Sequence, residues 1–313
     1  MREKQLISRQ KIKFLLEKYV SKLLQIFLKE RKYTLSNKIF FLLRNAGSSV
    51  MRGKQIKEEL RRKNILAFST RKISRISPGS IVIFVKDFSM IDLVILKNKG
   101  CKIVWDIVDY NKNYRFKDYF LRCDAVIFTS KHQKKYFLEY LKEDCITKVI
   151  YHHWDPRFKY KKNKKYFLNY FGVAPKINAL FFNKAKIPIF LEFKDSLKFG
   201  PETAFHYSFR SKGSFEFKTK PTTKISIAAV CGSNIICSKD PSFLELLPKN
   251  YPFYCENNYK DLKLKIDYAK NDKNKEKWKK GLKMMEIVKE KTDIKNTIYD
   301  YLDFFKELNK NFR

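Results

Sequence analysis

A cluster of cations and hydroxyls near residue 220 could bind an anion. The cluster consists of Lys218, Lys220, Pro221, Thr222, Thr223 and Lys224. Proline here predicts the first position of a helix, and the residues that follow it are small and helix-compatible. A helix N-terminus offers unpaired N–H groups and a positive dipole end, so with added ammonium and hydroxyl groups it suits a phosphate. A well-capped helix with solvated lysines explains the same pattern equally well.

Arg210 ends a predicted strand just before this cluster. In an open α/β sheet, ligands gather outside the carboxyl ends of the strands, so Arg210 is predicted to face the same site. Its guanidinium could form two parallel hydrogen bonds with phosphate oxygens. The alternative is a surface arginine paired with Glu202 or Glu216. His206, inside the same apolar strand, is expected to be packed rather than catalytic.

The histidine and cysteine spacing predicts no metal site. His152 and His153 are adjacent and would alternate faces of a strand, so they could not easily share one metal ion. The six cysteines contain no Cys-x-x-Cys pair. Neither a zinc site nor a disulfide framework follows from this spacing, and reduced thiols in a cytosol are expected.

The elements that must position these residues alternate along the chain. After residue 38, short apolar runs are separated by helical stretches, which predicts parallel strands buried on both faces. The pattern breaks at residues 154–157, and the charged connector KYKKNKKY follows. We therefore predict an α/β fold with two Rossmann-like domains. The predicted divisions are a basic helical extension over 1–38, a first domain over 39–156, a second domain over 157–272, and C-terminal helices over 273–313.

Length and charge limit the classes of protein. The 313 residues have a formal net charge of +36, but 44% are hydrophobic and 16% aromatic, which excludes a disordered basic tail. The charge is uneven, because residues 1–38 contain 11 Lys and Arg against 3 Glu, and residues 157–224 contain 16 against 4 acidic residues. A general lysine bias explains part of the excess, and basic surfaces around a less charged core explain the rest.

Residues 10–32 have the spacing of a basic amphipathic helix. Its apolar positions are Ile12, Leu15, Leu16, Tyr19, Leu23, Ile26 and Phe27, and the lysines between them are Lys13, Lys18, Lys22 and Lys29. Such a helix could lie on an anionic membrane surface or dock on its own domain. The sequence contains neither an apolar run long enough to span a membrane nor a recognisable signal peptide. We therefore expect a cytoplasmic protein that could lie on the inner face of the plasma membrane.

The order of motifs over residues 217–247 resembles the donor-binding half of a GT-B glycosyltransferase. It runs through Lys-Pro-Thr-Thr-Lys, a helix of small residues, Cys-Gly, an Asn-Ile-Ile strand, Ser-Lys-Asp and Glu-Leu-Leu. In the N-terminal half, Gly47-Ser48-Ser49 followed by Arg52-Gly53-Lys54 is similar to the loop and helix after the first strand of such enzymes. The resemblance covers about residues 39–270, and it implies that the two predicted domains face a central cleft.

The resemblance implies transfer of a sugar from a nucleotide diphosphate to a glycan or lipid-linked acceptor at the cytoplasmic membrane face, as in bacterial surface polysaccharide synthesis. The diphosphate would lie over the helix near Pro221, held by Arg210 and the lysines of the cluster. No metal or other cofactor is expected, because the helix dipole and basic side chains would stabilise the departing diphosphate. The acceptor would enter across a loop whose candidate residues are Asn45, Ser48, Ser49 and Arg52.

Such a transfer needs a group that accepts the proton of the acceptor hydroxyl. Asp109, at the carboxyl end of the predicted strand KIVWDIVD, is the first candidate for this base, and Asp87, after SIVIFVK, is the second. The alternative is that each is a helix N-cap or the ion-pair partner of Lys86 or Lys112.

The chain departs from the family pattern at one place. Many retaining members hold the donor with two glutamates in a Glu-x7-Glu arrangement, and the corresponding positions here are Thr219 and Ile227. The chain therefore resembles a variant branch in which Lys-Pro-x-x-Lys replaces the acids, and the stereochemical outcome stays open. Two other classes also stay open: a basic nucleic-acid-binding protein, which no recognised binding motif supports, and a GT-B-like scaffold without catalysis.

Overall fold

The computed structural model describes residues 12, 15–24, 36–44, 46–87, 89–109, 116–172, 186–256, 258–271 and 275–311. The chain divides into two compact units. Unit 1 comprises Met1–Thr129, Lys134–Ile150 and Ile298–Arg313, and unit 2 comprises Ser130–Gln133 and Tyr151–Thr297. The chain thus returns to unit 1 at its C-terminal end, and the C-terminal helices are divided between the two units.

The sheet of unit 1 has six parallel strands in the order β2-β1-β3-β4-β5-β6. The strands are β1 (Ile39–Leu42), β2 (Ala67–Thr70), β3 (Ile81–Val85), β4 (Lys102–Asp106), β5 (Ala125–Phe128) and β6 (Ile146–Val149). Strands β1 and β3 are continuous apolar runs buried along their whole length, as expected where both faces of a parallel sheet are covered. Because β2 and β3 lie on opposite sides of β1, the carboxyl ends of β1 and β3 form a switch point at which ligands commonly bind.

The sheet of unit 2 has four parallel strands in the order β10-β9-β7-β8. These are β7 (Tyr166–Phe171), β8 (Ile189–Phe190), β9 (Thr203–Ser208) and β10 (Asn234–Cys237). Strands β8 and β9 lie on opposite sides of β7, so the second switch point is at the carboxyl ends of β7 and β9.

The helices connect the strands and cover the sheets. They are α1 (15–24), α2 (Ile56–Arg62), α3 (Met90–Asn98), α4 (Phe116–Phe120), α5 (Lys131–Phe137), α6 (Phe193–Phe199), α7 (Phe215–Thr219), α8 (Thr223–Val230), α9 (Pro241–Leu244), α10 (Tyr259–Lys270), α11 (Lys275–Lys291) and α12 (Ile294–Asn311). A π-helical segment, Ser49–Gln55, leads into α2. Among the helices that the structure describes, none has the length and apolar character needed to cross a membrane.

A buried ion pair joins three elements of unit 1. Arg52, in the π-helical segment, is 0% exposed, and its Nε and Nη2 donate to the two carboxylate oxygens of Asp106 at 2.8 and 3.0 Å. Its Nη1 donates to the carbonyl oxygen of Ile150 at 3.1 Å. The hydroxyl of Tyr301, on α12, donates to Asp106 Oδ2 at 3.0 Å. These bonds compensate the burial of both charges and attach α12 to the sheet of unit 1.

The predicted α/β fold with parallel strands is confirmed, and the predicted start of the helix near residue 220 is wrong. The helix near residue 220 begins at Thr223, so Pro221 does not occupy its first position. A residue before proline avoids the helical region, so Lys220 is extended, with a ψ of 141°, and α7 ends before it. Thr222, with a ψ of 12°, is the N-cap of α8. Helices α7 and α8 are therefore separate.

Candidate functional site

The carboxyl ends of β7 and β9 form a basic site in unit 2. Gly172 follows β7 with a φ of +123°, a conformation that side-chain-bearing residues rarely adopt. A Cβ built at Gly172 would lie 3.7 Å from Cε and 3.8 Å from Nζ of Lys224, so the lysine chain runs beside this backbone. Lys224 belongs to the first turn of α8. The helix N-terminus and the strand end therefore meet at one ammonium group.

The environment of Lys224 destabilises its positive charge. Its Nζ lies 3.5 Å from the centroid of the Tyr170 ring, a cation–π contact that offsets only part of this destabilisation. Burial, and then the positive charges of Arg210 and Lys220, lower the pKa of Lys224 well below its ordinary value, while Asp240 acts in the opposite direction. Among the residues that the structure describes, none forms a hydrogen bond or ion pair with this ammonium group. A bound anion would supply the missing negative charge.

Thr222 adds an unsatisfied hydroxyl beside this lysine. It is the N-cap residue of α8 and is 0% exposed, yet its side chain makes no capping hydrogen bond. Its Oγ1 has no hydrogen-bond partner among the described residues. Since a buried hydroxyl without a partner costs free energy, its presence needs an explanation. A ligand oxygen at the start of α8 would satisfy both this hydroxyl and the first N–H groups of the helix.

Arg210 fixes the backbone that precedes α8. Its Nη2 donates to the carbonyl oxygen of Pro221 at 2.8 Å, and its Nη1 donates to that of Lys220 at 3.3 Å. Nη1 also lies 3.0 Å from Oδ2 of Asp240, which is 0% exposed. Burial raises the pKa of Asp240 to about 6, although Arg210 and Ser238 oppose the shift. Arg210 therefore has an internal anionic partner, whereas Lys224 does not.

The structure brings most of the predicted anion-binding residues together. Arg210, Lys220, Pro221, Thr222 and Lys224 meet at the start of α8, Thr223 is its first residue, and Lys218 lies near the end of α7. The predicted contact of Arg210 with a phosphate stays a prediction. Its ion-pair partner is neither of the two glutamates expected from the sequence.

Three residues of the site were missed from the sequence: Tyr170, Gly172 and Asp240. Each lies at or just after the carboxyl end of a strand, which is the same signal that singled out Asp87 and Asp109. The signal was therefore present, but the register of the strands was needed to show that the ends of β7, β9 and β10 adjoin.

In unit 1, the ends of β3 and β4 hold two acidic residues behind strained backbone. Lys86, with a φ of +74°, precedes Asp87, and Val108, with a φ of +53°, precedes Asp109. A positive φ is a genuine outlier for a branched residue such as valine, and strain of this kind costs about 1–3 kcal/mol and concentrates at functional sites. Lys86 Nζ lies 3.0 Å from Asp109 Oδ1.

The two acids differ in their electrostatic environment. Burial raises the pKa of Asp87, with a further increase from Asp109, while Lys86 and Arg44 lower it. No hydrogen bond or ion pair to the Asp87 carboxylate is present among the described residues. Asp109, in contrast, is paired with Lys86. Of the two predicted bases, Asp87 is the one whose carboxylate is available and whose pKa is shifted toward neutrality.

The predicted acceptor loop follows β1, at the switch point of unit 1. Asn45 lies outside the described residues. The Ser48 hydroxyl oxygen is buried without a partner among the described residues, and the Ser49 hydroxyl accepts the Arg44 N–H at 2.9 Å. Arg52 is fully buried in its ion pair with Asp106, a position that does not support contact with an acceptor. Ser48 is thus the described member of this set whose buried hydroxyl makes no hydrogen bond to the described residues.

No metal centre is evident in the part of the chain that the structure describes. It contains no group of three or more His, Cys, Asp and Glu side chains arranged to hold a metal ion.

No family model matches the sequence, and no curated protein matches it. Among solved structures, HepE (Alr3699) of Anabaena in complex with UDP and glucose is similar, with a TM-score of 0.64 and 12% sequence identity over 87% of this chain and 100% of that chain. The chain has the GT-B fold. A sucrose-phosphate synthase from Thermosynechococcus elongatus is similar with a TM-score of 0.61 and 8% identity, over 88% of this chain and 100% of that one. A glycosyltransferase from Rickettsia africae is similar with a TM-score of 0.60 and 15% identity, over 90% of this chain and 100% of that one.

Proposed function

We propose that the chain is a glycosyltransferase that moves a sugar from a nucleotide diphosphate to a glycan or lipid-linked acceptor. The acceptor would be met at the cytoplasmic face of a membrane, in bacterial surface polysaccharide synthesis. The observation that carries the proposal is the ammonium group of Lys224, half-buried at the start of α8 without an anionic partner among the described residues. HepE, which shares the fold, has been crystallised with UDP-glucose, and this likeness supports a donor of the same chemical class.

The proposed donor contacts follow from the charges around α8. Lys224 and Lys220 neutralise the diphosphate, and the Thr222 hydroxyl and the first N–H groups of α8 bind its oxygens. Arg210 keeps the carbonyl groups of residues 220 and 221 turned toward itself, so it acts mainly by positioning the loop. In this proposal, Lys-Pro-x-x-Lys takes the place of the paired glutamates of other members.

The proposed reaction is a displacement at the anomeric carbon. The acceptor oxygen forms a bond to that carbon as the bond from the carbon to the diphosphate oxygen breaks. The hydroxyl proton passes to the carboxylate of Asp87, and the electron pair of the broken bond stays on the nucleotide diphosphate. The added negative charge is stabilised by the helix N-terminus and the lysines, so we expect transfer to continue in the presence of a chelator.

A thermal-shift series tests the donor site. UDP-, GDP- and CMP-linked sugars are added to the folded protein, and either the UDP- or the GDP-linked class should raise the unfolding temperature because it binds the native state. The CMP-linked sugar, which carries one phosphate in place of a diphosphate, is the control. If neither diphosphate class raises the unfolding temperature, the donor proposal fails. Transfer is then measured with the donor that binds, using wild type and Asp87→Asn. Loss of at least about a hundredfold in kcat with unchanged donor affinity supports Asp87 as the base. Equal loss in Asp109→Asn and none in Asp87→Asn would reverse the assignment. Donor binding without transfer to any acceptor would instead indicate a silent scaffold.

A further inference from the structure

Helix α1 is docked on unit 1 through its polar side. Ser21 is 0% exposed, and Lys18 Nζ lies 3.1 Å from Oδ2 of Asp118 on α4. Glu17 and Leu24 are half-buried on the same side. A helix packed on its own domain normally buries its apolar side and exposes its polar side. The orientation of α1 is the reverse.

The opposite side of the helix presents large apolar side chains to solvent. The exposed fractions are 58% for Leu15, 59% for Leu16 and 65% for Tyr19, and they are 55%, 37% and 38% for Ile12, Val20 and Leu23. At about 100° per residue, these six positions fall within an arc of about 140° around the helix axis. They therefore form one continuous face, which we call the α1 apolar face. A contiguous exposed face of this kind marks an interaction surface.

The charge around this face indicates what it binds. Lys22 is exposed beside it, and residues 1–38 carry 11 Lys and Arg against 3 Glu. A second copy of the chain would bring the same basic charges together and be repelled, whereas anionic lipid headgroups would attract them. An apolar face beside an exposed lysine, within a basic segment of the sequence, is typical of a helix that lies in the plane of a lipid interface. We propose that the α1 apolar face binds the surface of an anionic lipid bilayer.

The role of this bilayer contact rests on the proposed function, because the bilayer is where the chain would meet a lipid-linked acceptor. Helix α1 is held to Asp118 on α4, so bilayer contact would be made beside this helix. The binding itself requires no donor or acceptor. It can therefore be measured separately from transfer.

Vesicle co-sedimentation tests the proposal. Wild type is mixed at low salt with vesicles of equal phosphatidylglycerol and phosphatidylcholine, or of phosphatidylcholine alone. We expect wild type to sediment with the anionic vesicles and much less with the neutral ones. Leu15→Ser/Leu16→Ser should bind at least about tenfold more weakly, because two apolar side chains can no longer enter the interface. Lys22→Glu should weaken binding mainly at low salt.

A matched control removes two exposed apolar residues elsewhere. Leu264 and Ile287 in unit 2 are 56% and 47% exposed, and Leu264→Ser/Ile287→Ser should bind vesicles like wild type.

Wild type that stays in solution with anionic vesicles would overturn the proposal, as would equal binding by wild type and Leu15→Ser/Leu16→Ser. A dimer that this double variant abolishes, without vesicle binding by wild type, would assign the face to a second copy. Donor-induced thermal shift should be unchanged in Leu15→Ser/Leu16→Ser, so failure of bilayer binding leaves the donor site standing, and the converse also holds.

Discussion

Replacing Lys224 with methionine should change stability and donor affinity in opposite directions. Methionine keeps an unbranched apolar chain beside Tyr170 but removes the charge. The ammonium group is half-buried, has cationic neighbours in Arg210 and Lys220, and lacks an anionic partner among the described residues. Its removal should raise the free energy of unfolding by about 1 kcal/mol in the absence of donor. It should also remove a charge-assisted contact worth about 1.5–3 kcal/mol, which weakens donor binding by roughly tenfold to 150-fold.

Two measurements on the same samples test this expectation: urea unfolding without donor, and calorimetric titration with the nucleotide sugar that raises the unfolding temperature. Lys270→Met is the control, because Lys270 is exposed and its Nζ lies 5.2 Å from the centroid of the Phe167 ring, so both variants lose a lysine above an aromatic ring. The control should leave the affinity unchanged. Unchanged affinity in Lys224→Met would refute contact with the diphosphate. A large loss of stability would show instead that the ammonium group supports the fold.

Three further predictions concern stability. Arg52→Met should lower the free energy of unfolding by about 3–5 kcal/mol, because Asp106 stays buried without its cation; reduced transfer at an unchanged urea midpoint would instead support contact with an acceptor. Gly281→Ala should cost about 1–3 kcal/mol, because its Cβ would lie 2.9 Å from Phe253 Cε2, and an unchanged melting temperature would contradict this packing. Burial lowers the pKa of His206 to about 4, below the unfolded value near 6.5, so the unfolded chain takes up this proton first as the pH falls. Urea unfolding at pH 7 and 5 should therefore show about 2 kcal/mol more loss in wild type than in His206→Asn, and equal losses would contradict the shift.

The parallel strands could be predicted because their signal is local. Strand β3 is a run of five apolar residues that are all buried, and a short continuous run of this kind is typical of a strand covered on both faces. The boundary between α7 and α8 was harder to predict from the sequence. Pro221 fits the first position of a helix as well as the position before an N-cap, and the backbone of Thr222, with a ψ of 12°, distinguishes the two by making Thr222 the N-cap.

The electrostatics of the site could not be predicted from sequence spacing. Arg210 and Asp240 are 30 positions apart, and they form an ion pair because β9 and β10 are adjacent in the sheet. The two nearer glutamates that could have paired with Arg210 are not its partners. Similarly, Asp87 and Asp109 are equivalent as residues that follow strands, and only the position of Lys86 beside Asp109 distinguishes them. Which charge is neutralised inside the fold depends on strand order, and this decides which charge is available to a ligand.

The charge balance around α8 gives a reason for lysines at this position. Asp240, with a pKa of about 6, is mostly ionised at pH 7 and neutralises Arg210, so the positive charge of Lys224 remains for a ligand. The diphosphate of a sugar nucleotide carries two negative charges, and it gains a third when the bond to the sugar breaks. Under the proposed function, the site therefore interacts more strongly with the leaving group than with the intact donor, which is the condition for accelerating the reaction rather than merely binding the substrate. Because burial, and then the charges of Arg210 and Lys220, lower the pKa of Lys224, a bound donor should raise this pKa, and donor affinity should fall as the pH rises above the pKa that Lys224 has in the free protein. A site with paired glutamates in place of these lysines would have the opposite charge and would have to meet the diphosphate with other groups.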